Sequence, residues 1–271
     1  MENKGIETVI DLATAQCDHA YVADTPYLVV PNGYRVENLE HMQSNPTRKR
    51  GAVEVDDVQS FISYTKLHGS LASCVIYIDM DTQDGRLKMK SVLNDHSEDH
   101  AEWRDFTCNL APKLSVEWSR WNGNNKKEMS QIAFASFLED NIQDVASVSG
   151  SPTGTEILQM AMAFERTADK KLSSRVNLQS GGVRFEYVDD DSKGTRAAME
   201  AFSRFNIGIP VFYGDMVAFP VEARLKYREK EGKVMFWYEL VRADRVFRQA
   251  TEELLTKIKN ETGFMMLMGR P

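Results

Sequence analysis

Ser73-Cys-Val-Ile-Tyr-Ile-Asp79, Gln83-Asp84-Gly85 and Leu87-Lys-Met-Lys-Ser-Val-Leu93 follow one another along the chain, and their reading decides the fold. The first run is apolar and rich in β-branched residues, which suits a buried strand. In the last run Leu87, Met89, Ser91 and Leu93 alternate with Lys88, Lys90 and Val92. That period belongs to a strand with one face on a core. Asp84-Gly85 between them suits the tight turn of a β-hairpin.

The same signals recur outward from this unit. Arg175–Gln179 and Val183–Val188 flank Ser180-Gly181-Gly182, and Val217–Tyr227 and Lys233–Val241 flank Glu229–Gly232. Each pair predicts a further hairpin. Tyr27–Val30 reads as a short strand, as does Leu114–Trp121, where Leu114, Val116 and Trp118 alternate. Helices are predicted over residues 5–17, over Asp57–His68 behind an Asp56 cap, and over Met129–Val145. In the last of these, Phe134, Phe137, Leu138 and Ile142 share one face, and Glu139-Asp140-Asn141 reads as a solvated end. Thr153 and Glu156 fit a capping box for a helix over Thr155–Thr167. A final helix over Asp244–Glu261 carries Phe247, Ala250, Leu254 and Ile258 on one stripe and ends at Gly263. The fold class is therefore α+β, with mostly antiparallel sheet hairpins and packed helices. Ser147–Thr155 is rich in Ser, Gly, Pro and Thr and is the linker candidate. It separates an N-terminal α+β subdomain, 1–146, from a C-terminal one, 156–271, unless both halves form one continuous domain.

Composition narrows the class. Of 271 residues, 42% are hydrophobic and 27% charged, as in ordinary globular proteins. No apolar run approaches the ~20 residues of a membrane span. Met1-Glu-Asn-Lys-Gly5 lacks the features of a signal peptide. A cytoplasmic protein without a membrane partner is expected. The net charge of −7 argues against binding nucleic acid over the whole surface. Arg48-Lys49-Arg50, Lys126-Lys127 and Lys170-Lys171 are local basic candidates that read more simply as solvated loops. Cys17, Cys74 and Cys108 have no paired spacing, so reduced structural thiols are expected.

Two constellations resemble metal sites. In Asp95-His96-Ser97-Glu98-Asp99-His100 the histidines would share one face if the segment were helical. Ser97 stands where a zinc protease carries its glutamate, and no third ligand is nominated. A polar loop, with His96 bonded to backbone, is the simpler reading. Asp189, Asp191, Gly194 and Glu200 match positions of a calcium loop, but Lys193 falls on a ligand position. No cofactor is expected. Phosphate-cradling glycine loops and the nucleophile elbow are absent from the sequence. Trp103, Trp118, Trp121 and Trp237 read as core rather than as base-stacking platforms.

Phe264-Met265-Met266-Leu267-Met268 is an apolar run beyond the last helix. It must fold back on its own domain or enter a neighbouring copy. Met129–Val145, Leu114–Trp121, Val92–Trp103 and Arg50–Tyr64 together resemble the YfdQ-like family of phage and prophage proteins, a domain of unknown function. The resemblance covers about residues 25–260. It implies a bacteriophage origin and no particular reaction. The reading is a phage-derived, cytoplasmic, non-enzymatic interaction protein that self-associates, with Phe264, Met265, Met266, Leu267 and Met268 as interface candidates. A host or phage protein is a further candidate partner. One alternative is a metal-dependent phage accessory hydrolase using Asp95, His96, Asp99 and His100. The other is an accessory factor in phage DNA recombination or replication, or a binder of a host protein.

Overall fold

The computed structural model describes residues 38–163, 204–214, 217–230 and 233–271, and the backbone of short strands at 19–22, 25–28, 172–176, 183–187 and 199–201. The chain divides into two units, Met1–Lys49 and Arg50–Pro271. In the first, β1 (His19–Val22) pairs antiparallel with β2 (Thr25–Leu28), and a single 3-10 turn spans Glu40–Met42. The helix predicted at 5–17 lies outside the described residues.

The second unit runs β3 (Gly51–Val55), α1 (Val58–His68), β4 (Val75–Asp81), β5 (Arg86–Val92), β6 (Phe106–Leu110) and α2 (Val116–Gly123). Then follow β7 (Met129–Ser130), α3 (Gln131–Asp140), α4 (Gly154–Ala163), β8 (Leu172–Val176), β9 (Val183–Tyr187), β10 (Met199–Ala201), β11 (Arg204–Ile209), β12 (Phe219–Lys230), β13 (Lys233–Leu240), α5 (Ala243–Thr262) and β14 (Met265–Met268). The class is α+β, as the sequence implies. Sheets form in the orders β14-β4-β5-β6-β3, β11-β12-β13-β7 and β10-β9-β8. Pairing is antiparallel except for the two edge strands of the five-stranded sheet, β14 on β4 and β3 on β6.

The opening hairpin forms as read. Asp81 pairs with Arg86, Gly85 takes φ +63, and Asp81 Oδ1 accepts N–H bonds from Gln83 (3.0 Å) and Asp84 (3.2 Å). Ile76, Ile78, Leu87, Met89, Cys108 and Leu110 turn to the buried face of the sheet. The β12–β13 hairpin likewise buries Phe219, Val221, Ala223 and Leu225 against Phe236, Tyr238 and Leu240. One apolar cluster runs from Phe61 on α1 through both larger sheets to Phe264. It takes residues from before and after Ser147–Thr155. That segment is held to β11 by Ala146 N–H to Asn206 O (2.8 Å) and Asn206 Nδ2 to Ser151 Oγ (2.7 Å).

Four local readings change. The helix read over Met129–Val145 is shorter: Met129–Ser130 is strand β7, the helix runs Gln131–Asp140, and Ile142 lies in a separate 3-10 turn, Ile142–Asp144. Leu114–Trp121 is not a strand. Ser115 caps α2 by accepting the Trp118 N–H at 2.9 Å, so Trp118 and Trp121 fall three apart on one helical face and both are buried. The cap of α1 is Asp57, which accepts from Ser60 N–H and Oγ–H. Those bonds hold its carboxyl below the usual range, while Asp56 pairs instead with Lys113 at 2.9 Å. Asn141 is buried: it accepts from Arg120 Nη1 and donates to the Phe137 carbonyl, closing α3. The capping box at Thr153 and Glu156 is present.

Gly263 ends α5 with φ +73, and its N–H bonds Lys259 O at 2.8 Å. A Cβ is disfavoured there by roughly 1–2 kcal/mol. Gly263→Ala is therefore expected to lower unfolding free energy by that amount. An unchanged urea midpoint would show that the junction relaxes.

Candidate functional site

Charge and exposure single out the outer face of the five-stranded sheet. Residues opposite the core along β4 are Val75, Tyr77, Asp79 and Asp81; along β5 they are Arg86, Lys88 and Lys90. Register sets Tyr77 beside Lys90, Asp79 beside Lys88, and Asn109 of β6 on the other flank of Lys90. These side chains, with Glu54, Lys113 and Arg270, border an open groove of about 830 Å³. Arg270 bonds Asp79 Oδ2 through Nε (3.0 Å) and Nη2 (2.8 Å).

At one end of this face lies a polar cluster. Asp95 is 4% exposed and accepts from Tyr77 Oη (2.7 Å) and its neighbour His96 N–H (2.8 Å). Arg104 Nε lies 2.9 Å from Asp95 Oδ1, and Arg104 Nη2 donates to Tyr77 Oη at 2.9 Å. Arg104 reaches this position from a left-handed backbone, φ +55. Burial, and then the bond to Asp95, push the Tyr77 hydroxyl pKa upward. Tyr77 therefore stays protonated, and the Asp95 carboxylate accepts two hydrogen bonds beside the Arg104 guanidinium. The cluster braces the 95–105 loop.

The four metal candidates stand in that loop. Residues 95–105 are irregular, so His96 and His100 do not share a helical face. His96 Nδ1 accepts the Glu102 N–H at 3.0 Å, and His100 N–H donates to Ser97 Oγ at 3.1 Å. Among the described residues no three His, Cys, Asp or Glu side chains are grouped to hold a metal. The run from Asp189 to Gly194 lies outside the described residues. Cys74 and Cys108 are buried free thiols, and Cys74 Sγ lies 3.3 Å from Ser91 Oγ. Desolvation raises both pKa values, that of Cys108 to about 11, so neither is a thiolate at neutral pH. Cys17 lies outside the described residues.

The apolar run after α5 is the outer strand of the same sheet. Met265–Met268 pairs parallel with Val75–Ile78, and Gly269 N–H continues the pairing to Ile78 O at 2.7 Å. Phe264 is buried and Met266 packs against the core, but Met265, Leu267 and Met268 are 59%, 42% and 63% exposed. Of the tryptophans, Trp118 and Trp121 are buried, Trp237 is half-buried beneath Arg228, and Trp103 is exposed. Trp103 thus departs from the core reading. The Arg86-Lys88-Lys90 row was missed as a site, although its alternation was visible in the sequence.

Among the described residues no helix is long and apolar enough to cross a membrane. No curated protein and no solved structure matches the chain. A family model does match, over residues 2–271, and it carries the description uncharacterized conserved protein (DUF2303). The chain belongs to that family.

Proposed function

We propose that this is a bacteriophage-derived, non-enzymatic interaction protein that assembles with copies of itself in the host cytoplasm. The observation that carries the reading is the edge strand β14. Among the described residues its outer side has no strand neighbour in the sheet, and three of its four side chains are large, apolar and exposed. Exposed edges of this kind are normally blunted by charge, proline or a bulge. Here the strand itself, Met-Met-Leu-Met, carries none of the three. A second copy is the natural occupant. Two β14 strands related by a two-fold axis would meet edge to edge and extend both sheets, each patch covering its own equivalent. The phage origin is supported by the resemblance of Arg50–Tyr64, Val92–Trp103 and Met129–Val145. The protonated, buried thiols support a role without catalysis.

The test is sedimentation velocity at micromolar concentration. The native chain is expected to run as a dimer or larger species. Leu267→Lys with Met268→Lys should weaken association about 100-fold or more, ~2.7 kcal/mol, with an unchanged circular dichroism spectrum. A native chain that is monomeric at that concentration would sink the proposal, as would a double variant of unchanged mass.

A further inference from the structure

On the outer face of the four-stranded sheet, three cations are matched within the sheet or beside it, while Arg224, Lys230 and Lys233 have no ion pair with a described residue. Arg204 pairs with Glu222 at 2.9 Å, Lys226 with Glu239 at 2.8 Å, and Arg228 with Glu128. On the five-stranded sheet, Arg86, Lys88 and Lys90 occupy alternate positions of central strand β5. No ion pair or side-chain hydrogen bond joins them to any described residue. The nearest acids across the ladder are already engaged. Asp81 opposite Arg86 caps the hairpin turn, and Asp79 opposite Lys88 is held twice by Arg270. On the other flank Lys90 meets neutral Asn109. Three cations in one row, none in an ion pair with a described residue, are notable on a chain of net charge −7.

We infer that this row, with Tyr77 and Asn109 beside it, is a binding site for the backbone of single-stranded nucleic acid. Alternate residues of a strand are roughly 7 Å apart, at ~3.4 Å per residue. The three cations therefore form a straight, evenly spaced array that suits a linear polyanion with a regular repeat. The sheet face around them is open, as a strand lying across it requires. Single-strand sites combine such a charged track with aromatic and polar groups that meet the bases. Tyr77, half-buried and opposite Lys90, and Asn109 stand where those contacts would fall. A rigid duplex touches a flat face along fewer phosphates. An acidic peptide has no reason to prefer an array flanked by an aromatic ring and an amide. The site is local, so it is compatible with an acidic protein that does not bind nucleic acid over its whole surface.

The experiment is fluorescence anisotropy of labelled oligo-dT with the full chain, titrated across a range of salt concentrations. Contact with three phosphates predicts a slope of log affinity against log salt of about −2, at ~0.7 per phosphate on single strands. Lys88→Ala with Lys90→Ala should bring the slope to about −0.7, and Lys88→Glu with Lys90→Glu should abolish binding. Arg86 and Lys88 are exposed and Lys90 is half-buried, and none makes an ion pair with a described residue, so thermal unfolding of these variants should stay close to that of the native chain. Arg86→Gln is a second, milder variant, expected to reduce the slope by about 0.7. The inference is overturned by any of four results: no oligo-dT binding at low salt; a slope near zero; variants that bind as the native chain does; or equal binding of duplex DNA or of poly-glutamate. Tighter binding of oligo-dT than of either competitor, lost on charge reversal, supports it.

Discussion

Trp121→Ala is expected to bring the protein close to global unfolding. Trp121 is fully buried at the meeting of α2, α3 and the four-stranded sheet. Its ring contacts Phe137 at 4.9 Å, Tyr238 at 5.1 Å and Phe205 at 6.1 Å between centroids. Its Nε1 donates to Asp144 Oδ2 at 2.7 Å. Truncation removes the apolar contacts, leaves a cavity and strips the half-buried carboxylate of a donor. The first two effects cost roughly 3–5 kcal/mol, and the unsatisfied carboxylate adds about 1. Folded domains have only about 5–15 kcal/mol to lose. Urea unfolding followed by circular dichroism measures the effect, and a loss below about 2 kcal/mol would show that neighbouring rings refill the space.

Trp121→Phe isolates the polar part. Burial raises the Asp144 pKa, while the Trp121 N–H opposes that rise. Without the donor the folded-state pKa moves further above its unfolded value. A carboxyl shifted in this direction destabilises the fold at neutral pH and ceases to do so as pH falls through its folded pKa. The deficit of Trp121→Phe should therefore be largest at neutral pH and shrink in acid. A deficit that is constant with pH would show that Asp144 finds another donor.

Asp95→Ala is the second large effect expected. The Asp95 side chain is 6% exposed and that of Arg104 33%, so the pair is screened on one side only. Removing one member of a buried pair costs roughly 3–5 kcal/mol, and the exposure of Arg104 reduces this to about 2–3. Tyr77 would also lose the acceptor for its hydroxyl. The 95–105 loop should loosen with it, because Arg104 N–H bonds Asn94 O at 3.2 Å and Asn94 Oδ1 accepts from Phe106 N–H at 2.9 Å. Hydrogen exchange at Phe106 should accelerate together with the fall in the urea midpoint. Asp95→Leu combined with Tyr77→Phe removes the carboxylate and the hydroxyl together and should recover part of the loss. If Asp95→Ala unfolds at the native urea concentration, the cluster contributes nothing to stability.

Much of the fold was legible because its signals are local. The alternation in Leu87–Leu93 and the Gly85 turn specify a hairpin whatever surrounds them. The stripe Phe247, Ala250, Leu254 and Ile258 with Gly263 after it specifies α5 in the same way. Leu114–Trp121 misled because three residues that alternate over five positions fit a strand. The same stretch is helical once Ser115 supplies the cap and Trp118 and Trp121 find a common core. Asn141 misled because a polar residue at a helix end is solvated unless another element brings it a partner, as Arg120 of α2 does.

The sequence alone determined the β4–β5 and β12–β13 hairpins, the alternating faces of their strands, the capping box of α4 and the glycine end of α5. Each depends on residues within a few positions of one another, through backbone sterics and burial period. Only the tertiary structure decided that β14 lies parallel on β4 at a sheet edge, with Phe264 buried and Leu267 exposed. Only it decided that Asp81 and Asp79 are engaged elsewhere, so that Arg86, Lys88 and Lys90 face the groove without an ion pair to any described residue. Strand order and charge pairing join residues as far apart as Asp79 and Arg270, and a local pattern carries no information about a partner at that distance.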